Sequence, residues 1–193
     1  MLRLRILALF APVLLLLTAC GVNSIPTAEE NAKARWADVQ TELQRRNDLI
    51  GNLVETVKGF ARQEREVLTQ VTEARANANR VTVTGDQLTD PQAMARLAEA
   101  QGRINVSLQR LQEAYPELTS QRNFESLQVD LSGTENRIGR ARERYNAAVQ
   151  EYNTTIRTFP AVIGARVIYG SKPMVPFEAT PESQQAPKVD FSK

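Results

Sequence analysis

From residue 27 to about residue 80 the apolar side chains recur at steps of three and four: Trp36, Val39, Leu43, Ile50, Leu53, Val57, Phe60, Val67, Val71, Ala74 and Ala78. That period puts them on one stripe of an amphipathic helix. Read as a single element, roughly 54 residues rising 1.5 Å each make a rod of about 80 Å. No helix can bury such a stripe alone, so the remaining chain has to cover it. Thr27-Ala28-Glu29-Glu30 reads as the capping box that starts the helix. Gly51 and Gly59 interrupt it, each costing up to about 1 kcal/mol against alanine. Both are read as points where a neighbouring helix comes close.

The covering elements follow in order. Residues 81–86 abandon the helical period for β-branched residues and a Gly85-Asp86 turn. Asp90 as N-cap and Pro91 at the first helical position restart a helix. Its stripe is Met94, Leu97, Ile104, Leu108, Leu111 and Tyr115, broken by Gln101, and Pro116 stops it. A third helix spans residues 122–158, with Phe124, Leu131, Ile138, Ala141, Tyr145, Tyr152 and Ile156 on its stripe, and Phe159-Pro160 closes it. Residues 161–193 read as a proline-containing, partly disordered tail, with packing back of Val162 to Tyr169 as the alternative for its first part. The fold class is therefore all-α: an elongated antiparallel up-and-down bundle of three long helices, with a short fourth as a variant, and an irregular C-terminal tail. Helices of about 36 Å and 55 Å then bring Phe159 near the 82–90 loop and far from Cys20.

The chain has no histidine and one cysteine. Cys/His zinc sites, Ser-His-Asp triads and Cys-His dyads are therefore excluded, and no disulfide forms within the chain. Two of the 24 basic residues, Arg3 and Arg5, lie in the first nineteen, leaving 22 basic against 22 acidic residues beyond. A neutral remainder without a basic patch argues against nucleic acid as a partner.

Those first residues form their own unit. A positively charged start is followed by an apolar run at residues 6–17, twelve long. That is short of the roughly 20 residues a membrane span needs, and suits a secretory signal. Leu17-Thr18-Ala19-Cys20 is similar to a bacterial lipobox. The expected organisation is a signal peptide at 1–19, a lipid-bearing Cys20 in a tether at 20–26, a bundle at 27–160 and the tail at 161–193. An uncleaved anchor with an incidental cysteine is the plainer alternative. Two or more acyl chains on Cys20 would hold the protein stably on a membrane. By resemblance to lipoprotein sorting signals of double-membraned bacteria, Gly21 in place of aspartate after the cysteine implies the outer membrane.

The residues 45–59, Arg-Arg-Asn-Asp-Leu-Ile-Gly-Asn-Leu-Val-Glu-Thr-Val-Lys-Gly, resemble the signature of LemA family proteins. Glu64, Ala74-Arg75, Tyr115-Pro116-Glu117-Leu118, Asn123-Phe124, Leu127, Thr134-Glu135-Asn136-Arg137-Ile138, Tyr145-Asn146, Tyr152-Asn153 and Phe159-Pro160 continue the resemblance over about residues 27–178. The sequence departs from the family at Gly51, commonly proline, and at Gln63, commonly histidine. The resemblance implies an N-terminally anchored helical bundle outside the cytoplasm, with no enzymatic activity to transfer.

Candidate sites are few. Arg46 and Glu64 fall near the apolar stripe, where polar groups usually specify register through a partner on the next helix. Glu135 and Arg142 are the expected partners, making a seam network of Arg46, Glu64, Glu135 and Arg142. Tyr145-Asn146 and Tyr152-Asn153, seven residues apart, share one face; they read as a peptide-binding strip or, more plainly, as seam tyrosines with edge amides. Glu29, Glu30, Asp38 and Glu42 lie close along the chain, but no Glu-x-x-His pattern supports a metal there. No phosphate-binding loop occurs. No catalytic residue, metal or cofactor is assigned. The leading expectation is a membrane-tethered binding or scaffold module for an envelope partner. A carboxylate-based envelope hydrolase and a self-assembling homo-oligomer are the alternatives.

Overall fold

The computed structural model describes residues 23–59, 65–116 and 122–178. Among them the chain is all-α and holds no β-strand: α1 (Ser24–Lys58), α2 (Arg65–Arg80), α3 (Pro91–Ala114), α4 (Arg122–Thr155) and the short α5 (Ala161–Gly164). A 3₁₀ turn at Gly85–Gln87 precedes α3, and a π-helical turn at Ala165–Tyr169 follows α5.

The single 80 Å rod is corrected: α1 ends at Lys58, with Gly59 as its C-cap, and α2 runs back along it. Asn47 Nδ2 donates to Asn79 Oδ1 at 2.8 Å, and Arg75 Nε donates to the Asn47 carbonyl at 2.8 Å. Further down, Trp36 Nε1 donates to the Val83 carbonyl at 2.7 Å. Rising numbers on α2 thus meet falling numbers on α1. The physical reason is cover. An unbroken helix would leave the stripe through Leu68, Val71 and Ala78 in water, whereas the hairpin buries all three.

The start of α1 also differs from the expected capping box. The helix begins at Ser24, because Ile25 is fully buried and Pro26 sits in the first turn, where its missing N–H costs nothing. Thr27 Oγ1 donates back to the Asn23 carbonyl at 2.8 Å instead of capping. At α3 the reading holds, with Asp90 accepting from Gln92 N–H at 2.9 Å and Pro91 at the first position.

α3 rises beside α1, since Leu97 joins the apolar cluster around Trp36 while Leu111 joins the one around Ile50. α4 descends against α1 along its length: Phe124 lies in the Ile50 cluster and Tyr145 in the Trp36 cluster. Four long helices therefore run up, down, up and down. The core is divided. A lower cluster gathers Ile25, Trp36, Leu88, Tyr145 and Ile156, and an upper one gathers Ile50, Val57, Val71, Leu111 and Phe124. Between them lie the buried polar residues Arg46, Asn47, Gln101 and Thr134.

One further correction concerns Phe159, and the expected tail is sharpened: of residues 161–193 the structure describes 161–178, in which Ala161, Ala165, Met174 and Phe177 are buried in the lower cluster. Small side chains let residues 161–165 sit close to the helices, and Met174 and Phe177 fill the space the helices leave. Phe159 lies at the end where α1 begins, because its neighbours Ile156 and Ala161 share a cluster with Ile25. A bundle of four alternating long helices, rather than three, returns the chain to its starting end.

Candidate functional site

Arg46 is the chemical centre of the seam. α1 places it one turn above Leu43 on the inward stripe, and its side chain is 2% exposed. Its guanidinium donates to Glu135 Oε1 on α4 at 2.7 Å, to Asn105 Oδ1 on α3 at 3.2 Å, and to Gln101 Oε1 on α3. One rigid fork therefore ties three helices in a single register, which suits a planar guanidinium better than an ammonium. Glu135 remains 42% exposed at the edge, so its carboxylate keeps part of its hydration. Glu42 and Arg137 form a second α1–α4 pair at 3.1 Å, with Arg137 also donating to Thr134 Oγ1 at 2.7 Å.

Of the expected network, Arg46 and Glu135 are brought together. Arg142 borders the same small cavity of about 60 Å³ beside Arg46 and Glu135. Glu64 lies outside the described residues, as does Cys20. Gln101 and Asn105 were not foreseen as partners; the signal was the glutamine breaking an apolar stripe. Glu29 and Glu30 both bind Lys33, at 2.8 and 3.0 Å, and these carboxylates, Glu29 foremost, hold the Lys33 ammonium above its usual range. Among the described residues no group of three His, Cys, Asp or Glu side chains is placed to hold a metal.

The second feature is a strap, residues 171–178, laid along the bundle. Asn153 Nδ2 donates to the Met174 carbonyl and Asn153 Oδ1 accepts from Met174 N–H, both at 2.8 Å. Asn146 does the same to Phe177, at 3.1 and 2.8 Å. Each amide thus treats the strap as a strand partner would. The spacing explains why this works. Seven helical residues advance about 10.5 Å, and three extended residues advance about 10 Å. Asparagines seven apart therefore meet backbone groups three apart. Tyr145 Oη donates to the Val175 carbonyl at 2.9 Å, and Val175 N–H donates to the Leu88 carbonyl at 2.8 Å. Phe177 then stands edge-on to Trp36 with centroids 5.6 Å apart, and Trp36 stacks at a tilt on Tyr145 at 4.9 Å. Burial pushes both the Tyr145 and Tyr152 phenols up, with a hydrogen bond from Ser171 partly opposing this at Tyr152.

The Tyr-Asn strip is thus a peptide-holding surface occupied by the chain itself. The missed partner carried one faint signal, the apolar Met174-Val175-Pro176-Phe177 amid polar neighbours. On the other side of α1, where α2 gives way to residues 81–83, an open groove of about 740 Å³ is lined by Trp36, Gln40, Gln44, Asn47, Asn79 and Gln101 among others. Its polar lining joins these amides to Arg45, Asp48, Thr41 and Thr82.

The family model described as the LemA family matches residues 35–191, which take in the seam and the strap. The chain belongs to the LemA family. Among curated relatives, it is similar to magnetosome protein MamQ of Magnetospirillum gryphiswaldense, 27% identical over 179 residues that cover 83% of this chain and 65% of the relative. Magnetosome proteins MamQ 1 and MamQ 2 of Paramagnetospirillum magneticum are 27% identical over 157 residues, covering 72% of this chain and 58% of each relative. This LemA chain thus spans roughly three fifths of the length of these relatives.

Proposed function

We propose that this LemA chain is a non-catalytic, lipid-tethered binding module of the bacterial cell envelope, which holds extended peptide segments of an envelope partner. The observation that carries the binding reading is the clamp of Asn146 and Asn153 on residues 174–177. It supports the reading because this helical surface already engages an extended segment of its own chain through paired amide hydrogen bonds. The open groove beside α1 offers the same amide chemistry, with Gln40, Gln44 and Asn79 exposed along it. The tether rests on Cys20 closing an apolar run. Family membership and the magnetosome relatives support membrane association. Among the described residues, the seam carboxylates Glu42 and Glu135 are each engaged by an arginine, which favours binding over a carboxylate hydrolase at the seam.

Two measurements test the reading together. Metabolic labelling with radiolabelled palmitate should mark the chain, and Cys20→Ala should lose the label and release the protein from membranes. A photo-cross-linker at Gln44 should capture a discrete envelope protein, whereas one at Val129, exposed on α4, should not. Label that persists in Cys20→Ala would overturn the tether, and an empty Gln44 lane would overturn the groove.

A further inference from the structure

Among the described residues, the end of the bundle where α1 begins carries the most concentrated exposed apolar surface. α5 and the turn after it use Ala161, Gly164 and Ala165 to face the bundle, and present Ile163, Val167 and Ile168 outward. With Phe159 and Tyr169, five large apolar side chains within eleven residues are exposed, Phe159 at 74% and Val167 at 79%. Folded proteins seldom leave such a group bare without a partner. The loop at 82–90 does not cover it, because Gly85 packs at Lys33, nine residues and about 13 Å along α1 from its start.

What covers this tip follows from charge and chain path. Residues 152–177 contain Arg157, Arg166 and Lys172, all exposed, and no acidic residue. An apolar rim with basic residues around it is the chemistry that seats on an anionic lipid surface. The same end carries Asn23, which stands three residues after Cys20 and follows the apolar run at 6–17. Three residues reach no more than about 11 Å. No described helix is long and apolar enough to cross a membrane, so this tip would lie on the lipid rather than span it.

We infer that the 159–169 tip is a membrane-seating surface: its apolar side chains enter the interface of anionic lipid while Arg157, Arg166 and Lys172 meet the headgroups. The bundle is thereby held upright, with the Phe177 end of the strap and the amide-lined groove farther from the membrane than the tip. This inference rests on the tethered reading above, and the test separates the two.

The full chain is reconstituted with vesicles of phosphatidylethanolamine and phosphatidylglycerol whose acyl chains are brominated near the headgroup. Trp36 is the one native tryptophan and is buried, which gives a low, constant background. Val167→Trp is compared with Val129→Trp, an exposed site on α4 in the upper half. The expected result is flotation of both variants, with roughly two-fold quenching of the emission added at position 167, as for a side chain within the interface, and none at 129. Flotation without quenching at 167 would overturn the seating surface and leave the tether standing. Failure to float would overturn the tether and the inference with it. Shielding of position 167 from aqueous acrylamide without lipid quenching would give the patch to a protein partner or a second copy, and would likewise overturn the inference.

Discussion

Arg46 shows how one side chain sets register where apolar contact alone is permissive. Its charge lies at 2% exposure, while its partner Glu135 lies at 42%, and that asymmetry decides which truncation hurts. Glu135→Leu leaves a guanidinium buried against two neutral amides, and should cost about 3 kcal/mol. Arg46→Met with Gln101→Leu removes the buried charge and the amide it would orphan, and lets Glu135 hydrate. That pair should stay within about 1 kcal/mol of the wild type. Urea denaturation of both variants checks the order, and the reverse order would show that the hydrogen bonds of Arg46 and Gln101 outweigh the cost of an orphaned charge. The sequence made Arg46 visible because it falls near the apolar stripe of the first helix, and Glu135 because a charge on the predicted third helix was the expected partner of Arg46. Asn105 was illegible, since an asparagine at a helix edge looks the same whether it faces water or a neighbouring arginine.

At the scale of elements, the hairpin of α1 and α2 was the feature least legible in advance. The apolar stripe keeps its phase from Val57 through Leu68 to Ala78, and periodicity reports a face but not a direction along it. Gly59 was the only local hint of a reversal. Gly51 has a different role, because a Cβ there would lie 2.8 Å from the Arg75 guanidinium. Gly51→Ala should therefore be nearly neutral, its helix-propensity gain of about 1 kcal/mol offset by displacing Arg75 from the Asn47 carbonyl. In an Arg75→Ala background the same change should stabilise by about 1 kcal/mol. A double-mutant cycle on thermal midpoints reads the difference, and simple additivity would count against the close approach.

The strap was illegible for another reason: an extended segment has no period, its hydrogen bonds to the asparagines lie 21 to 31 residues away in sequence, and its contacts with Leu88 and Trp36 lie much farther. Asn153→Ala removes two hydrogen bonds and should cost about 1–3 kcal/mol. Asn153→Asp should do no better, because a carboxylate cannot donate to the Met174 carbonyl. Phe177→Ala should cost about 3 kcal/mol or more and shift Trp36 emission to the red as the ring edge is lost. Denaturation followed by fluorescence checks all three, and rescue by the aspartate would refute the paired-amide clamp.

For the whole molecule, the two apolar clusters divided by the Arg46 belt imply that the lower half can loosen while the upper half persists. The strap, Trp36, Tyr145 and Tyr152 all belong to the lower half. Burial raises the Tyr145 and Tyr152 phenols, so the native state keeps protons that the unfolded chain releases above about pH 10. The native state then binds more protons than the unfolded one, and stability falls as pH rises. Their contribution is complete below about pH 10 and is lost as pH climbs through the higher native-state values. Trp36 emission should therefore move to the red at a lower alkaline pH than the one at which helical circular dichroism is lost. Tyr145→Phe deletes one of the two groups and should bring the two transitions closer together, while costing about 1 kcal/mol at neutral pH for the lost Val175 hydrogen bond. Coincident transitions in the wild type would mean that the belt does not divide the molecule, and that strap, seam and upper cluster come apart as one unit.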